Sequence, residues 1–122
     1  MANDFKRFAK PDVGTGTGAS ATTVYTVPAG AGSSALETIV IGITLANKTA
    51  AGVTASVFID NYDGTNDVYI VKGASIPAGS SLEIMSGNKI VVQNNGTTGD
   101  VIRVSAGTGS SLDATVTVLE DV

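Results

Sequence analysis

This chain has no cysteine, no histidine and no tryptophan. Without cysteine there are no disulfides and no thiolate metal sites. Without histidine the commonest general base, the commonest metal ligand and the usual near-neutral pH switch are missing, and a serine nucleophile has no imidazole to activate it. Long apolar runs are also missing. The longest, Ile39-Val40-Ile41-Gly42-Ile43, is strand-sized and far short of the ~20 residues of a membrane-spanning helix. The N-terminus has no apolar core of a secretory signal, so no export address is expected. Basic residues are few. The first twelve residues set Lys6, Arg7 and Lys10 against Asp4 and Asp12, a net +1, and the remainder sets Lys48, Lys72, Lys89 and Arg103 against nine acids, a net −5. A body of that sign repels phosphate backbones, so nucleic acid is not an expected partner.

What is present begins with a contrast. Residues 5–11, Phe-Lys-Arg-Phe-Ala-Lys-Pro, hold two of the three phenylalanines and three of the seven basic residues. Residues 13–20, Val-Gly-Thr-Gly-Thr-Gly-Ala-Ser, read as a flexible tether. The expected organisation is therefore an N-terminal arm and Gly-rich tether over residues 1–20, followed by one domain over residues 21–122. Gly14, Gly16 and Ala19 also match the spacing of a dinucleotide-binding loop. That loop requires a strand before it and a helix after it, and here a proline-containing arm precedes and β-branched residues follow.

The body is a series of short apolar stretches separated by turn residues: 22–27, 36–47, 53–60, 67–72, 81–85, 89–93, 100–106 and 112–119. Period-two alternation is clearest where Ile39, Ile41, Ile43 and Leu45 share a face. It recurs where Val53, Ala55, Val57 and Ile59 oppose Thr54, Ser56, Phe58 and Asp60. No window shows sustained helical spacing. The expected fold is all-β, an antiparallel β-sandwich or jelly roll of about eight strands with an extended N-terminal arm. Residues 36–47 are expected to form a central strand, and the last strand to tie the C-terminus into the sheet. An internal echo joins Val27-Pro28-Ala29-Gly30 with Ser33-Ser34-Ala35-Leu36-Glu37, Ile76-Pro77-Ala78-Gly79 with Ser80-Ser81-Leu82-Glu83, and the ending alone in Gly109-Ser110-Ser111-Leu112-Asp113. Shared turn chemistry accounts for it; duplication is the alternative.

Three candidate sites follow. Asp60, Asn61, Asp63 and Asp67 cluster around the Gly64 turn. Oxygen ligands of this density could hold calcium, with Asp60, Asp63 and Asp67 as the acids. Isoleucine stands at 59 and 70, where an EF-hand loop needs acids, so that motif is absent, and solvated turn residues are the plainer reading. Glu37 and Glu83 follow similar turns, but nothing else supports a paired-carboxylate hydrolase. No cofactor is expected, and catalysis is not expected. The arm is the third candidate, with Phe5 and Phe8 as anchors and Lys6, Arg7 and Lys10 as charge contacts for a partner. Full burial of both phenylalanines would contribute roughly 3–6 kcal/mol, whereas fixing about eleven backbone residues costs on the order of 11–22 kcal/mol. The arm therefore orders only where something also supplies backbone hydrogen bonds, as strand addition does. A loose tail, docking on its own body and docking on a sister subunit are the other options. The expectation is an arm disordered alone and ordered in an assembly.

The segments 22–30, 76–83 and 114–120, with the isoleucine-rich strand between, resemble small virion structural proteins of tailed bacteriophages, particularly those of marine cyanobacteria. The resemblance covers residues 22–120 and rests on turn and strand chemistry, so no functional residues carry over. It implies a compact β domain present in many copies on a particle, as a head decoration (cement) protein or as a tail, neck or fibre component. The expected partners are the major capsid protein or other virion subunits, with a homo-oligomer, a trimer in the first instance. The expected location is the capsid exterior, after synthesis in the host cytoplasm. A carbohydrate-binding module with an aromatic platform around Tyr62 and Tyr69 is the alternative of a different class.

Overall fold

A computed structural model describes residues 3–62, 67–85 and 89–121. Nine strands follow in chain order among the described residues: β1 (Asn3–Lys10), β2 (Thr22–Thr26), β3 (Leu36–Asn47), β4 (Val53–Asp60), β5 (Val68–Ile76), β6 (Ser81–Glu83), β7 (Ile90–Asn94), β8 (Val101–Ala106) and β9 (Leu112–Asp121). They form two antiparallel sheets. One runs β1-β9-β3-β6, with β7 also paired to β3, and the other runs β2-β8-β4-β5. β6 and β7 lie end to end along the edge of β3 that β9 leaves open, because β6 pairs with Thr44–Ala46 and β7 with Leu36–Val40. Apart from β4–β5 and β6–β7, every connection crosses between layers. This is the winding of a jelly roll, a sandwich that closes its core between two sheets.

The strands form where the alternation places them, with informative exceptions. In β3 the isoleucine phase breaks at a bulge between Val40 and Gly42. One extra residue shifts every later side chain to the other face. Val40, Ile43 and Leu45 are buried, whereas Ile39 is half-buried and Ile41 exposed, so the four residues expected to share a face do not. In β4, Val53, Ala55 and Val57 enter the core as expected, but Phe58 is also buried. It lies on the outer face beside the ring of Tyr69, 5.0 Å between centroids. The inner faces bury Val40, Ile43, Leu45, Val116 and Val118 from one sheet against Val24, Val57, Ile102 and Val104 from the other.

The three echoed turns have one topological role. Each carries the chain out of a strand of the β2-β8-β4-β5 sheet and into a strand of the other: β2 to β3, β5 to β6 and β8 to β9. Leu36 and Leu112 start β3 and β9 and are buried. Reversal at these corners uses left-handed backbone at Gly32, Ser33, Gly79 and Ser110, which glycine adopts without strain and serine tolerates less well.

The N-terminal segment differs from the expected detached arm. Residues 3–10 pair with β9 through an eight-residue antiparallel register, Asn3↔Asp121 to Lys10↔Ala114. They are the first strand of the jelly roll. The ladder supplies the backbone bonds that two phenylalanines alone cannot replace, and it comes from the chain's own last strand. The glycine-rich segment is not a free tether either. Val13 is fully buried, donates to Leu112 O at 2.9 Å and accepts from Ser110 N at 3.2 Å. Gly14 O accepts from Ala106 N at 3.0 Å, and a Cβ on Gly16 would fall 2.2 Å from Ser20 O.

Candidate functional site

The five arm residues are divided by the pleat of β1. Opposed residues of an antiparallel pair share a face. Lys6, Phe8 and Lys10 stand opposite Val118, Val116 and Ala114, all buried, and so belong to the inner side; Phe5 and Arg7 stand opposite Leu119 and Thr117 on the outer side. Phe8 packs on Tyr25 with ring centroids 4.7 Å apart. Lys6 Nζ lies 2.9 Å from Glu120 Oε1. Glu120 is 1% exposed, and its other oxygen accepts from the Tyr25 hydroxyl at 2.6 Å; that hydroxyl also bonds Thr38 Oγ1 at 2.9 Å. Glu120 Oε1 receives no hydrogen bond of good geometry among the described residues; the ion pair is its compensation, because attraction at 2.9 Å does not need ideal angles. Burial, then the bond to Glu120, pushes the Tyr25 hydroxyl far above its ordinary pKa of 10.0, and Glu120 raises that of Lys6. This group joins β1, β2, β3 and β9, so that Lys6 and Phe8 help to hold the fold together, with the Lys6 side chain still 44% exposed. Sequence reading missed Glu120, Tyr25 and Thr38, which are 13 to 95 residues apart and have no local signature.

Phe5 has the opposite character. It is 75% exposed, the largest value among exposed large apolar side chains of the described residues. The register continues it across the sheet: Phe5 faces Leu119, Leu119 faces Ile39, and Ile39 faces Val91. The result is one apolar row across β1, β9, β3 and β7 on the solvent side, with Val91 56% exposed and Ile41 alongside. Arg7 and Lys10 are exposed and have no ion pair among the described residues.

Just beyond β1, Lys48 Nζ binds Asp113 Oδ1 at 2.8 Å and also Asp12, whose backbone N–H donates to Asp113 Oδ1 at 3.1 Å. Lys48, then the Asp12 N–H, holds the Asp113 carboxyl below its ordinary 3.8, and Asp113 and Asp12 raise Lys48 above 10.5. A depressed carboxyl stabilises the fold above its unfolded pKa and loses that contribution as pH falls through the folded value. A raised amine stabilises below its unfolded pKa and loses it as pH climbs through the folded value. The stability difference between wild type and Lys48→Met should therefore be flat from roughly pH 5 to 9 and shrink on both sides. Urea titrations across pH measure it, and a difference that grows below pH 3.8 would contradict the pairing.

The calcium candidate is not assembled among the described residues. Asp60 Oδ2 accepts from Arg103 Nε at 3.0 Å, Asp63 lies outside the described residues, and no group of three or more potential metal-binding side chains occurs among those described. Glu37 and Glu83 are both exposed. They lie on different strands, and Glu83 accepts from Thr44 Oγ1 at 3.2 Å. Tyr62 and Tyr69 have separate environments. Tyr62 is half-buried with its N–H on Asp100 Oδ1 at 3.0 Å, whereas Tyr69 leans on Phe58 beneath Lys72 Nζ. An open cleft of about 280 Å³ lies over β4 and β8, lined by hydroxyls of Thr15, Thr17, Thr54, Ser56 and Ser105 and by no aromatic ring. No family model matches the sequence, and no curated protein matches it.

Proposed function

We propose that this chain is a non-enzymatic structural protein of a tailed-bacteriophage virion, a decoration (cement) protein seated on the capsid exterior and bound to the major capsid protein. The observation that carries this reading is the disposition of β1. It is an edge strand of a jelly roll, and it offers a partner an open backbone edge with the cation Lys10 beside it. Edge addition gives affinity through main-chain bonds and needs no pocket. The lack of histidine in the sequence is consistent with a binding role, and the phage-like segments of the sequence supply the setting. The hydroxyl-lined cleft gives weaker support to carbohydrate binding, because sugar sites ordinarily add a stacking ring.

Antibody labelling of intact particles, read by electron microscopy, tests the proposal. Label over the whole head surface is the expected result. Label at a single vertex would make the chain a tail, neck or fibre component, and absence from particles would overturn the virion reading.

A further inference from the structure

We infer that Asn95 is a gated deamidation site: the closed β7–β8 turn holds its side chain unreacted, and opening of the turn exposes it to a conversion that keeps the turn from closing again. Among the asparagines of the sequence, Asn95 alone is followed by glycine. Glycine leaves the next backbone nitrogen unshielded, so this pair is where an asparagine amide is attacked most readily. In the reaction the Gly96 nitrogen loses its proton and bonds to Asn95 Cγ, while the Cγ–Nδ2 bond breaks and the amide nitrogen leaves as ammonia. Water then opens the five-membered imide at either carbonyl. One product is aspartate, and the other is isoaspartate, whose backbone runs through the side-chain carbon.

The fold obstructs the first step at both reacting groups. Gly96 N donates to Asn94 Oδ1 at 2.7 Å in a buried bond. An amide oxygen is too weak a base to take that proton, and it occupies the approach that hydroxide would need. The same bond fixes the Asn95–Gly96 peptide plane, which must rotate to bring its nitrogen onto Cγ. Gly96 is buried at φ 101°, and a Cβ there would overlap Ser33 O, so the closed corner leaves the plane little room to turn. Asn95 Oδ1 accepts from Thr97 N and Thr98 N, both at 2.9 Å, and Asn95 N donates to Thr98 O at 3.1 Å. Asn94 fastens the turn to the body, since its Nδ2 donates to Val27 O at 2.8 Å and the residue is 6% exposed. Reaction therefore waits on local opening, whose free energy reflects this set of bonds. The isoaspartate product lengthens the backbone by one carbon at residue 95. A turn closed by the single bond from Asn95 N to Thr98 O, and pressed on Ser33, cannot absorb that insertion.

This inference is independent of the virion reading, since its test contains no particles. Peptide mapping by mass spectrometry follows the isolated chain during incubation at mildly alkaline pH. Folded wild type should retain Asn95, whereas the same chain unfolded in urea should convert it to a mixture of aspartate and isoaspartate. Asn94→Ala frees the Gly96 N–H and should convert about tenfold faster than wild type in the folded state. Asn94→Asp loses the same bond to Val27 O but keeps an acceptor for Gly96 N, so it should convert more slowly than the alanine variant. Chains carrying isoaspartate at position 95, separated by ion exchange, should melt below the unmodified chain. Wild type that converts as fast folded as unfolded would overturn the inference, and that comparison stands whether or not the variants fold. Equal rates in folded wild type and folded Asn94→Ala, or in the two variants, would remove Asn94 Oδ1 as the gate, and an unchanged Tm for the isoaspartate chain would refute the one-way step.

Discussion

Deletion of residues 2–10 should abolish cooperative folding. The truncated chain loses the whole eight-residue ladder to β9, and β9 becomes an open edge. Val116 and Val118, fully buried in the intact domain, lose their cover on that side, together with the Phe8–Tyr25 contact. Uncovering one phenylalanine and parts of two valines costs about 3–5 kcal/mol, and the net loss of the strand's hydrogen bonds adds several more. The total is comparable with the ~5–15 kcal/mol that holds a small domain together. An unprotected β9 edge also invites strand-to-strand aggregation. The deletion product should show no sigmoidal thermal transition, and a synthetic peptide of residues 1–12 added in trans should restore one. A truncated chain that melts cooperatively within a few degrees of the full domain would show that β1 is an accessory arm after all. This outcome separates the structure from the expectation drawn from sequence, under which removing the arm leaves a folded body.

The same segment shows where sequence reasoning stops. Alternation located the strands of the body, because burying one face of a sheet imposes a period of two on any strand, whatever its neighbours. The jelly-roll or sandwich class followed from the number of strands and the turn residues between them. The partner of β1 has no such local trace. It lies more than a hundred residues away in β9, and pairing at that distance depends on the closure of the whole domain. The energy comparison for the arm correctly required backbone bonds from outside its side chains, but it could not identify their source. The apolar row was hidden for a related reason. Phe5, Ile39, Val91 and Leu119 have nothing in common along the chain, and only the registers of three strand pairs align them. In β3 a bulge reverses the phase of the isoleucines, which put Ile39 and Ile41 on the solvent side. Of the five arm residues, the pleat turns Phe8 onto Tyr25 and the exposed Lys6 toward buried Glu120, and leaves Phe5 and Arg7 on the outer face, a division that composition cannot make.

Asn47→Ala should cost about 3 kcal/mol, on the order of 10 °C in Tm. Asn47 ends β3 and is 2% exposed. Its amide donates to Ala51 O at 2.8 Å, Ile76 O at 3.0 Å and Pro77 O at 3.3 Å, and its carbonyl accepts from Thr49 N at 3.0 Å and Thr49 Oγ1 at 2.7 Å. One side chain thus joins the β3–β4 turn to the end of β5 and the crossover that follows it. Alanine removes both the donor and the acceptor and strands the buried Ile76 carbonyl, an atom that water reaches poorly; leaving such groups unpaired costs more than the bond itself contributes. Aspartate discriminates between the two halves of the role. It keeps the acceptor for Thr49 but turns a second anionic oxygen toward three carbonyls. Asn47→Asp should therefore be at least as destabilised as the alanine variant at neutral pH and recover partly in acid, where the protonated carboxyl can donate again. Chemical denaturation of both variants at pH 7 and pH 4 measures the effect. An aspartate variant as stable as wild type at neutral pH would show that the amide donor does not hold the corner.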